Sequence, residues 1–548
     1  MNKLLTILMI FCLWSCAKAN ENIIPGENGG NDNDSVYTSE YTPEAMRKIL
    51  DKQARDYFDL FWSGECSHPN SKMARIGTER AQGTVALAGS AYAVLSIPVA
   101  VERAWISKEE GIERLLHICR FLNTAERFHG AWSHWMDGVT GKALPFNGNQ
   151  QNSGDLVETS FMMMSLLTCG EYFNGNTTSE KEIKNLIDSF WNTIEWNFYT
   201  NKEKVLYWSW DRDLGFAPLK IQGPNEALPA YILALAAPAK NAITQDVYRS
   251  GWKGGNGYYN KGRTTYGYLF ELGRESKGGP LFTSQHPFLW FNPFLMEDEY
   301  IDYWKFCINH AMINHHYCLY EAPKAYKYDE NNWGLSACYG TPEKGYVGRS
   351  PSKDDGIICT TAAAGSIVFT PFYALQAMKY MKSQSNLNGK YGLIDSYSPS
   401  ENWNETRYLS ISIFPVISMI ENYKSGLIWK LAMQNEYIKK GLQLAGIHEP
   451  AYKNGFYSLQ VNTASGYYDM AAHAYKEKYL LDYYYTGTDN PVFEFRSDSG
   501  KIFTIEPTDF TPGKNQLSIN YTEFPKEKYT VRMLSEEKEI DMIKIWLR

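Results

Sequence analysis

The stretch KEEGIERLLHICRFLNTA, residues 108–125, repeats apolar side chains at spacings of three and four residues. Because an α-helix completes a turn in about 3.6 residues, this spacing gathers the apolar side chains on one face and leaves the charged ones on the other. The stretch therefore predicts an amphipathic helix that packs through that face. The apolar positions are Ile112, Leu115, Leu116, Ile118, Cys119 and Leu122.

The same helical period recurs over residues 42–447. This region opens with Thr42 as the predicted N-terminal cap and Pro43 at the first helical position, where proline is well tolerated. Pro371 lies inside one predicted helix and should kink or split it, because proline lacks the N–H of a helical hydrogen bond. Further helices are predicted at residues 85–97, 108–125, 156–172, 180–196, 226–236, 299–313, 360–380 and 412–433.

Long loops separate these helices, notably at residues 255–273 and 334–356, which are rich in glycine, asparagine and aromatic residues. Loops of this length inside a compact domain usually carry function. Many helices joined by elaborated loops favour a closed ring of helical hairpins. The periodicity alone fits an open stack of helices equally well.

The pattern changes after Pro450. One more helix is predicted at about residues 467–485, and short segments that alternate with period two follow it. Such segments, separated by turns at residues 498–500 and 512–514, predict a small β-sandwich. Because roughly 60 residues form a marginal core alone, this unit should pack on the helical domain. The predicted strands cover residues 492–495, 502–505, 517–521, 529–531 and 543–546.

The N-terminus predicts export. Lys3 precedes a short apolar run that ends at Cys16, which is typical of a bacterial lipoprotein signal whose cysteine is acylated. The alternative is an ordinary secretory peptide with an incidental cysteine. The predicted organisation is a signal peptide at residues 1–16, a flexible tether at 17–41, the helical domain at 42–449, and a C-terminal helix plus small β domain at 450–548. We expect a protein of the bacterial periplasm or cell surface that is lipid-anchored to a membrane.

The amino-acid composition limits the classes of partner that we expect the chain to bind. The chain has 54 Lys+Arg against 61 Asp+Glu, a net charge of −7, and no run of like charge, which argues against nucleic acid or an anionic membrane surface. Aromatic residues make up 15% of the chain and suit the apolar faces of sugars, although many such rings simply fill a large core. Seven cysteines remain after the signal, an odd number without a CxxC pair, so we expect small buried residues rather than disulfides or a zinc knuckle.

The motif search excludes several chemistries as first choices. No Walker loop, HExxH, GxSxG or Rossmann glycine pattern is present, which argues against phosphoryl transfer, zinc proteolysis, α/β-hydrolase chemistry and nicotinamide use. Adjacent histidines, as at His315 and His316, cannot share one helix face as metal ligands, and we expect no metal or cofactor. The other histidines considered as ligands are His129, His134, His286 and His310.

Carboxylates among aromatic residues remain, and they suit glycoside hydrolysis, which needs a protonated acid and a carboxylate base or nucleophile. Asp155 and Glu158 share a face at the start of one predicted helix, and Glu226 starts another. Each could instead be a first-turn residue that complements the helix dipole. The dipole lowers the pKa of a carboxyl group, so an acid role for Glu226 requires burial to oppose it.

Seven segments of the chain together carry a family resemblance. They are FHGAWSHW (128–135), TGK (140–142), GDLVET (154–159), NEAL (225–228), GGPLF (278–282), NWGLSA (332–337) and IENYKSGL (420–427). With these segments in the family's order within about residues 50–447, the chain resembles the glycoamylase-like family, glycoside hydrolase family 144, whose described members include endo-β-1,2-glucanases with an (α/α)6 barrel. The resemblance implies a mainly α fold, an (α/α)6 barrel or toroid, to which the small C-terminal β-sandwich-like appendage is added.

The resemblance also implies roles for individual residues. Glu226 resembles the family's proposed general acid, while Asp155 and Glu158 resemble carboxylates that line its substrate cleft. Several tryptophans are candidates to stack on glucose rings, with burial in the core as the alternative for each. The further predicted substrate contacts are His134, Trp135, Trp208, Trp210 and Trp333.

The chain departs from the family pattern at two positions that are candidates for the catalytic base of glycoside hydrolysis. Gln151 stands where the family has an aspartate four residues before Asp155, and Ser412 stands where the family reads Ile-Asp-Gln-Gly-Pro. Both positions are predicted to contact substrate, but neither residue can act as a carboxylate base. Three interpretations stay open: another carboxylate takes over, the enzyme cleaves a different linkage, or the domain binds sugar without hydrolysis. The replacement carboxylates considered are Asp137, Asp354 and Asp355.

The sequence therefore predicts a glycoside hydrolase that cleaves a β-linked glucan, with β-1,2-glucan as the first candidate. The family resemblance implies inversion, with the two carboxyl groups about 6.5–9.5 Å apart or bridged through water or a substrate hydroxyl. The alternative is a non-catalytic, cell-surface glycan-binding lipoprotein that has lost its base. The expected partners are an oligo- or polysaccharide and a membrane through the lipid anchor. We expect a monomer that binds no nucleic acid.

Overall fold

The structure is a computed structural model that describes residues 43–78, 82–146, 153–254, 258–266, 268–450, 470–475, 478–485, 489–497, 499–508, 510, 513–520, 524, 528–536 and 538–546. Thr42, Cys16, the predicted tether and Gln151 lie outside these ranges. The predictions that concern them stay predictions.

Helices dominate the chain up to residue 450. They are α1 (Pro43–Trp62), α2 (Leu87–Glu102), α3 (Lys108–Thr124), α4 (Leu156–Tyr172), α5 (Thr178–Thr193), α6 (Leu228–Ala236), α7 (Gln245–Val247), α8 (Phe282–Gln285), α9 (Tyr303–His316), α10 (Thr360–Gly365), α11 (Pro371–Ser383), α12 (Ser410–Lys424), α13 (Leu427–Gln434) and α14 (Glu436–Leu444). The mainly α class is thereby confirmed.

Inner and outer helices alternate along the chain. Helices α2 and α4 are apolar on nearly every side and are buried over almost their whole length, as expected for helices surrounded by protein. Helices α3 and α5 bury one face only, and each begins with a capping box, formed by Ser107 with Glu110 and by Thr177 with Glu180. Helix α2 packs against both α4 and α12, so the inner helix nearest the start of the chain meets the inner helix nearest the end. The helices thus close into a ring rather than an open stack.

The helices predicted before residue 450 are present: the helix at 156–172 has the predicted bounds, and the others are shifted at one or both ends or split. The segment predicted at 360–380 is split into α10 and α11, and Pro371 is the first residue of α11, as the missing N–H requires. The segment predicted at 412–433 is also two helices, because Gly426 adopts a left-handed φ of 64° between α12 and α13. The short helices α7 and α8 and the helix α14 were not predicted.

Short antiparallel strands lie at the ends of the helices. Three sheets of three strands each, β1-β4-β5, β6-β8-β9 and β15-β18-β19, place one strand directly before α2, α4 and α10 respectively. They fix where those inner helices begin. The strands up to residue 404 are β1 (Thr84–Ala86), β2 (Arg127–Phe128), β3 (Ala131–Trp132), β4 (Trp135–Asp137), β5 (Ala143–Leu144), β6 (Ser153–Asp155), β7 (Leu206–Tyr207), β8 (Ser209–Asp211), β9 (Gly215–Phe216), β10 (Lys220–Ile221), β11 (Thr264–Thr265), β12 (Tyr268–Leu269), β13 (Ala337–Tyr339), β14 (Tyr346–Gly348), β15 (Ile358–Cys359), β16 (Asn388–Gly389), β17 (Gly392–Leu393), β18 (Ser396–Ser398) and β19 (Trp403–Asn404).

The C-terminal part forms two antiparallel sheets, ordered β20-β21-β24 and β23-β22-β25-β26. The helix predicted at 467–485 is wrong, because that stretch contains β20 and β21. Its tyrosine-rich run favours a strand, and β21 pairs with β24 along its whole length, from Lys478↔Asn520 to Tyr485↔Gly513. The five predicted strands are present: the strand at 502–505 has the predicted bounds, and the other four are longer or shifted. The strands are β20 (Met470–Tyr475), β21 (Lys478–Tyr485), β22 (Val492–Ser497), β23 (Ile502–Ile505), β24 (Gly513–Asn520), β25 (Lys528–Ser535) and β26 (Lys538–Trp546).

The cysteines outside the predicted signal are buried and unpaired, as predicted from their number and spacing. They are Cys66, Cys119, Cys169, Cys307, Cys318, Cys338 and Cys359. Within the described ranges, every helix is too short or too polar to cross a membrane.

Candidate active site

A cavity lies at the N-terminal ends of the inner helices, and it collects side chains that are far apart in the sequence. Its enclosed volume is about 170 Å³, below the roughly 300–1,000 Å³ of typical ligand pockets, so only part of an oligosaccharide fits inside it. The lining residues are His134, Glu158, Phe161, Trp208, Glu226, Phe282, Gln285, His286, Ser336, Ala337, Tyr346, Thr361, Gly365, Ile411, Ser412, Pro415, Val416 and Met419.

Glu226 stands on the wall of this cavity, two residues before α6 begins. The turn that presents it is held by Asn225, whose side-chain oxygen accepts a hydrogen bond from the N–H of Ala227 at 2.9 Å. Burial raises the pKa of Glu226 from its ordinary value to about 7, against the opposing effect of its own backbone N–H, and the charge of Asp155 adds to the rise. The carboxyl group is therefore substantially protonated near neutral pH, as a general acid must be.

Asp155, Glu158 and His134 form a compact polar cluster beside Glu226. Asp155 caps α4 by accepting a hydrogen bond from the N–H of Glu158 at 2.9 Å. His134 Nδ1 lies 2.9 Å from Asp155 Oδ2 and 3.4 Å from Glu158 Oε1. Glu158 Oε2 also accepts the backbone N–H of Ala88 at 2.6 Å, which ties α4 to the start of α2. The predicted pair Asp155 and Glu158 is thus found together, with a histidine between them.

The charges in this cluster depend on one another. Burial alone would lower the pKa of His134, but Glu158 and Asp155 outweigh it, and the pKa is raised. Burial raises the pKa of Glu158, while His134 and the N–H of Ala88 oppose that rise. A protonated His134 therefore lowers the pKa of Glu158 from what burial alone would give, and that pKa is still raised to about 7. For Glu226 burial is the main cause of the raised pKa, and Asp155 adds to it.

A second histidine lies across the cavity in a neutral state. His286 accepts or donates a hydrogen bond at 3.0 Å between its Nδ1 and the buried hydroxyl of Tyr92. Burial lowers the pKa of His286 to about 3, so the ring is uncharged at neutral pH. Beside it, Gln285 donates to Ala362 O at 2.9 Å and to Ser366 Oγ at 3.0 Å. These contacts fix two uncharged polar side chains on the cavity wall.

The predicted tryptophans fall into three classes. Trp208 lines the cavity and is half-buried, which suits stacking on a sugar ring. Trp135 and Trp210 are half-buried but do not line it, and Trp210 packs edge-on against Phe198. Trp333 is 0% exposed and packs edge-on against His315. The prediction that Trp333 contacts substrate is corrected, because a ring with no accessible surface cannot stack on a sugar.

The three replacement bases considered from the sequence have other partners, and none lines the cavity. Asp137 accepts hydrogen bonds from the turn at Thr140. Asp354 accepts the hydroxyl groups of Tyr328 at 2.8 Å and Tyr317 at 3.2 Å. Asp355 pairs with Arg349, at 2.6 and 2.9 Å between oxygen and nitrogen atoms. Their alternative role as loop and turn residues therefore accounts for their contacts.

Sequence reasoning missed Asp395. This residue is 0% exposed, and its Oδ2 accepts the N–H of Tyr339 at 3.3 Å. Burial raises its pKa to about 7, and the Ser412 side chain stabilises its charged form. Nothing local in the sequence marks it, because its neighbours in space lie in β13 and α12. Ser412 itself lines the cavity, and its predicted contact with substrate stays a prediction.

The histidines considered as metal ligands are occupied singly in other contacts. His310 Nδ1 lies 2.7 Å from Ser284 Oγ, His316 stacks on Tyr266, and His129 lies 2.9 Å from Glu195. Among the residues that the structure describes, no group of three or more histidine, cysteine, aspartate or glutamate side chains is arranged to hold a metal ion.

Comparison with known proteins gives one family. Residues 218–436 match the Glycoamylase family model, described as "Putative glucoamylase". An exo β-1,2-glucooligosaccharide sophorohydrolase (non-reducing end) of Parabacteroides distasonis is 34% identical over 437 residues, which cover 76% of this chain. The chain spans 60% of the length of that curated relative.

Solved structures agree. The endo-β-1,2-glucanase from Chitinophaga pinensis, in complex with sophorotriose and glucose, is 38% identical with a TM-score of 0.70, over 74% of this chain and 99% of that one. A β-1,2-glucanase from Parabacteroides distasonis is 33% identical with a TM-score of 0.70, over 73% of this chain and 60% of that one. The family resemblance in the sequence is confirmed, and the chain belongs to the glycoamylase-like family.

Proposed function

We propose that the chain is a glycoside hydrolase that cleaves β-1,2-glucan, with Glu226 as the general acid. The observation that carries the proposal is the position of Glu226: it lies on the cavity wall with a pKa raised to about 7 by burial. An acid of this pKa can donate a proton to a glycosidic oxygen near neutral pH.

The linkage follows from the relatives. The Chitinophaga pinensis relative is named an endo-β-1,2-glucanase, and this chain covers 99% of it. The curated relative is named an exo-acting sophorohydrolase, but this chain spans only 60% of it. The two names share the β-1,2 linkage and differ in where the glucan is cut. We therefore extend the linkage to this chain and leave the position of cleavage open.

The residues that line or adjoin the cavity have different roles in the proposed cleavage of the glycosidic bond. Glu226 protonates the leaving oxygen as the bond from C1 breaks, and water attacks C1 from the opposite face, which inverts the anomeric configuration. Burial, with a contribution from Asp155, keeps Glu226 protonated, while His134 binds Asp155 and Glu158 beside it. Trp208 offers a half-buried aromatic face to a glucose ring, and the neutral His286 and Gln285 offer hydrogen bonds to its hydroxyl groups.

A glycan-binding lipoprotein without turnover is the second candidate, and the serine at position 412 favours it. A carboxylate base contributes on the order of 10²–10⁴ in rate, and Ser412 supplies none directly. Binding by the cavity would not suffer equally. This candidate predicts tight binding of β-1,2-glucan with no product.

The test is product analysis after the purified chain has been incubated with linear β-1,2-glucan. Matched β-1,3- and β-1,4-glucans serve as controls for linkage. We expect short β-1,2-linked products and none from the controls. Binding of the β-1,2-glucan without product on any glucan would reject hydrolysis and support the second candidate.

Several further features belong to the same proposal. Acylation of Cys16 tethers the mature chain to a membrane of the bacterial periplasm or cell surface. The domain boundaries follow residues 41 and 449. The protein is a monomer. The two C-terminal sheets form the two layers of a β-sandwich. The sequence at residues 1–16 supports the anchor. Labelling with a radioactive fatty acid tests it, and Cys16→Ser should abolish incorporation.

A further inference from the structure

The wall of the cavity at α12 carries a serine where the family pattern has an aspartate. Ser412 lines the cavity together with Glu226 and Glu158, and its side chain is partly exposed to it. A serine hydroxyl is a poor base, but it can accept one proton and donate another at the same time. What lies behind the hydroxyl therefore decides whether the position can still receive a proton from water.

The carboxyl group of Asp395 lies near the Ser412 side chain. The Asp395 side chain is 0% exposed, although carboxylates are rarely buried without charged partners. Oδ2 accepts the N–H of Tyr339, but Oδ1 has no hydrogen-bond partner of ordinary geometry among the described residues. The Ser412 side chain is close enough to stabilise the charged form of the carboxyl group. A buried carboxyl oxygen with unused capacity thus lies beside a hydroxyl group on the cavity wall.

Other charged and titratable groups surround Asp395 from several elements. Glu405 raises its pKa and Arg407 lowers it, and these two form an ion pair with each other. Groups whose own pKa is raised by Asp395 are Tyr57 on α1, Tyr346 on β14 and Cys338 on β13. No cation pairs directly with Asp395 in the described residues, so no ion pair blocks it from taking up a proton.

We propose that Asp395 is the proton acceptor of the hydrolysis and acts through the Ser412 hydroxyl group. This inference rests on the proposed function. Asp395 does not touch the sugar, and it is a positioning residue in the sense that it acts only through Ser412. The pair replaces the aspartate that the family pattern has at position 412. It also explains why a carboxylate is kept buried at a cost in stability.

The proton balance is as follows. The water oxygen forms a bond to C1 while the bond from C1 to the glycosidic oxygen breaks, and Glu226 gives its proton to that oxygen. The water proton moves to Ser412 Oγ as the Ser412 proton moves to Asp395. Glu226 ends as a carboxylate and Asp395 as a carboxylic acid. Proton exchange with solvent restores both groups, and no other reactant is consumed.

The pKa values agree with these roles. Burial raises the pKa of Asp395 to about 7, and it must be ionised to accept a proton, so the rate falls as the pH drops below about 7. Glu226 must be protonated, so the rate falls as the pH rises above about 7. The expected profile of kcat is a bell with its maximum near neutral pH.

The experiment measures kcat, KM and their pH profiles on β-1,2-gluco-oligosaccharides with the full mature chain. We expect Asp395→Asn and Ser412→Ala to lower kcat by about 10²-fold or more while KM changes less than about threefold. Asp395→Asn should also remove the acidic limb of the profile. Adding Ser412→Asp to Asp395→Asn restores a carboxylate at the cavity wall and should recover at least about tenfold in kcat.

Asp354→Asn is the matched control, because Asp354 is another partly buried carboxyl group with a raised pKa that does not line the cavity. It should keep kcat within about threefold of wild type. If Asp395→Asn does not fold, Ser412→Ala carries the test, since it removes only one hydroxyl group. A wild-type chain that hydrolyses no β-glucan overturns the proposed function and the relay together. Active wild type with Asp395→Asn and Ser412→Ala both within about threefold of it, or an unchanged acidic limb, overturns the relay alone.

Discussion

The helix dipole and burial have opposite effects on the pKa of Glu226, and burial has the larger effect. Its position just before α6 places it near the positive end of the helix dipole, which favours the ionised form by about 0.3–1 kcal/mol. Burial instead raises its pKa from 4.5 to about 7, and at about 1.4 kcal/mol per unit this amounts to about 3 kcal/mol. Burial outweighs the dipole, so the carboxyl group can act as an acid near neutral pH.

Asp155 caps helix α4 and also places a negative charge beside His134. Two substitutions distinguish the effects of these two roles. Asp155→Asn keeps a side-chain oxygen for the N–H of Glu158 but removes the charge beside His134. We expect the pKa of His134 to fall in this variant, because one of the two carboxylates that raise it is lost. Asp155→Ala should in addition lose about 1 kcal/mol of stability with the cap. Titration of the imidazole by NMR and denaturant unfolding measure the two effects.

An unchanged pKa of His134 in Asp155→Asn would contradict the electrostatic role of this cluster. Equal losses of stability in the two variants would contradict the capping role. The pKa of His134 and the free energy of unfolding therefore test the two roles of Asp155 independently.

The site was predicted from the sequence only in part, for a physical reason. Asp155, Glu158 and Glu226 stand in motifs at helix starts, where local order in the sequence fixes their position. Asp395 contacts Tyr339 across a separation of 56 residues, and only the folded chain brings its side chain close to that of Ser412. Trp333 belongs to a family-like segment, yet it is buried completely, because a motif identifies a residue without giving its exposure.

At the scale of elements, the sequence distinguishes inner from outer helices. Helix α4 reads LVETSFMMMSLLTC with few polar breaks, while α3 alternates apolar and charged residues, and the structure buries the first on all sides and the second on one. The error at 467–485 arises because a run rich in tyrosine and leucine fits a helix by spacing, yet pairing with β24 stabilises a strand. Tertiary contacts decide such stretches.

One ion pair joins the two helices that close the ring. Arg103, which follows α2, donates from Nε and Nη2 to Glu421 of α12 at 2.9 and 2.6 Å. Glu421 is only 3% exposed, so Arg103→Ala leaves a buried carboxylate without its partner. We expect a loss of roughly 3 kcal/mol in the free energy of unfolding, measured by urea denaturation.

Arg120→Ala is the matched control for this prediction. Arg120 binds Glu182 with the same two-nitrogen geometry, but both side chains are exposed to solvent. Its loss should be much the smaller of the two, because water screens exposed ion pairs. Equal losses in the two variants would contradict a role for the Arg103–Glu421 pair in closing the ring.

At the scale of the whole molecule, the ring brings the starts of the inner helices to one cavity, so residues from 134 to 419 meet there. The family segments all lie before residue 450, and the structural match that covers 74% of this chain covers 99% of the Chitinophaga pinensis enzyme. The proposed active site is therefore contained in the helical part, because every residue that lines the cavity lies between 134 and 419.

Truncation after Pro450 tests this division. We expect the shortened chain to keep kcat/KM on β-1,2-glucan within about threefold, because the cavity is lined entirely by earlier residues. Its Tm should fall, since Phe493, Phe495 and Val531 of the C-terminal strands belong to the same continuous apolar core as the helices. Activity assays and thermal unfolding of both chains provide the comparison. A folded but inactive truncated chain would place part of the site beyond residue 450.

The most direct test of the central claim compares wild type and Glu226→Gln on two substrates that differ in the leaving group. One is a β-1,2-gluco-oligosaccharide, whose leaving oxygen needs a proton, and the other is its dinitrophenyl glycoside, whose leaving group does not. The account predicts that Glu226→Gln lowers kcat/KM on the oligosaccharide by about 10²-fold or more and on the dinitrophenyl glycoside far less. Equal losses on both substrates, or no loss on either, would contradict the assignment of Glu226 as the general acid.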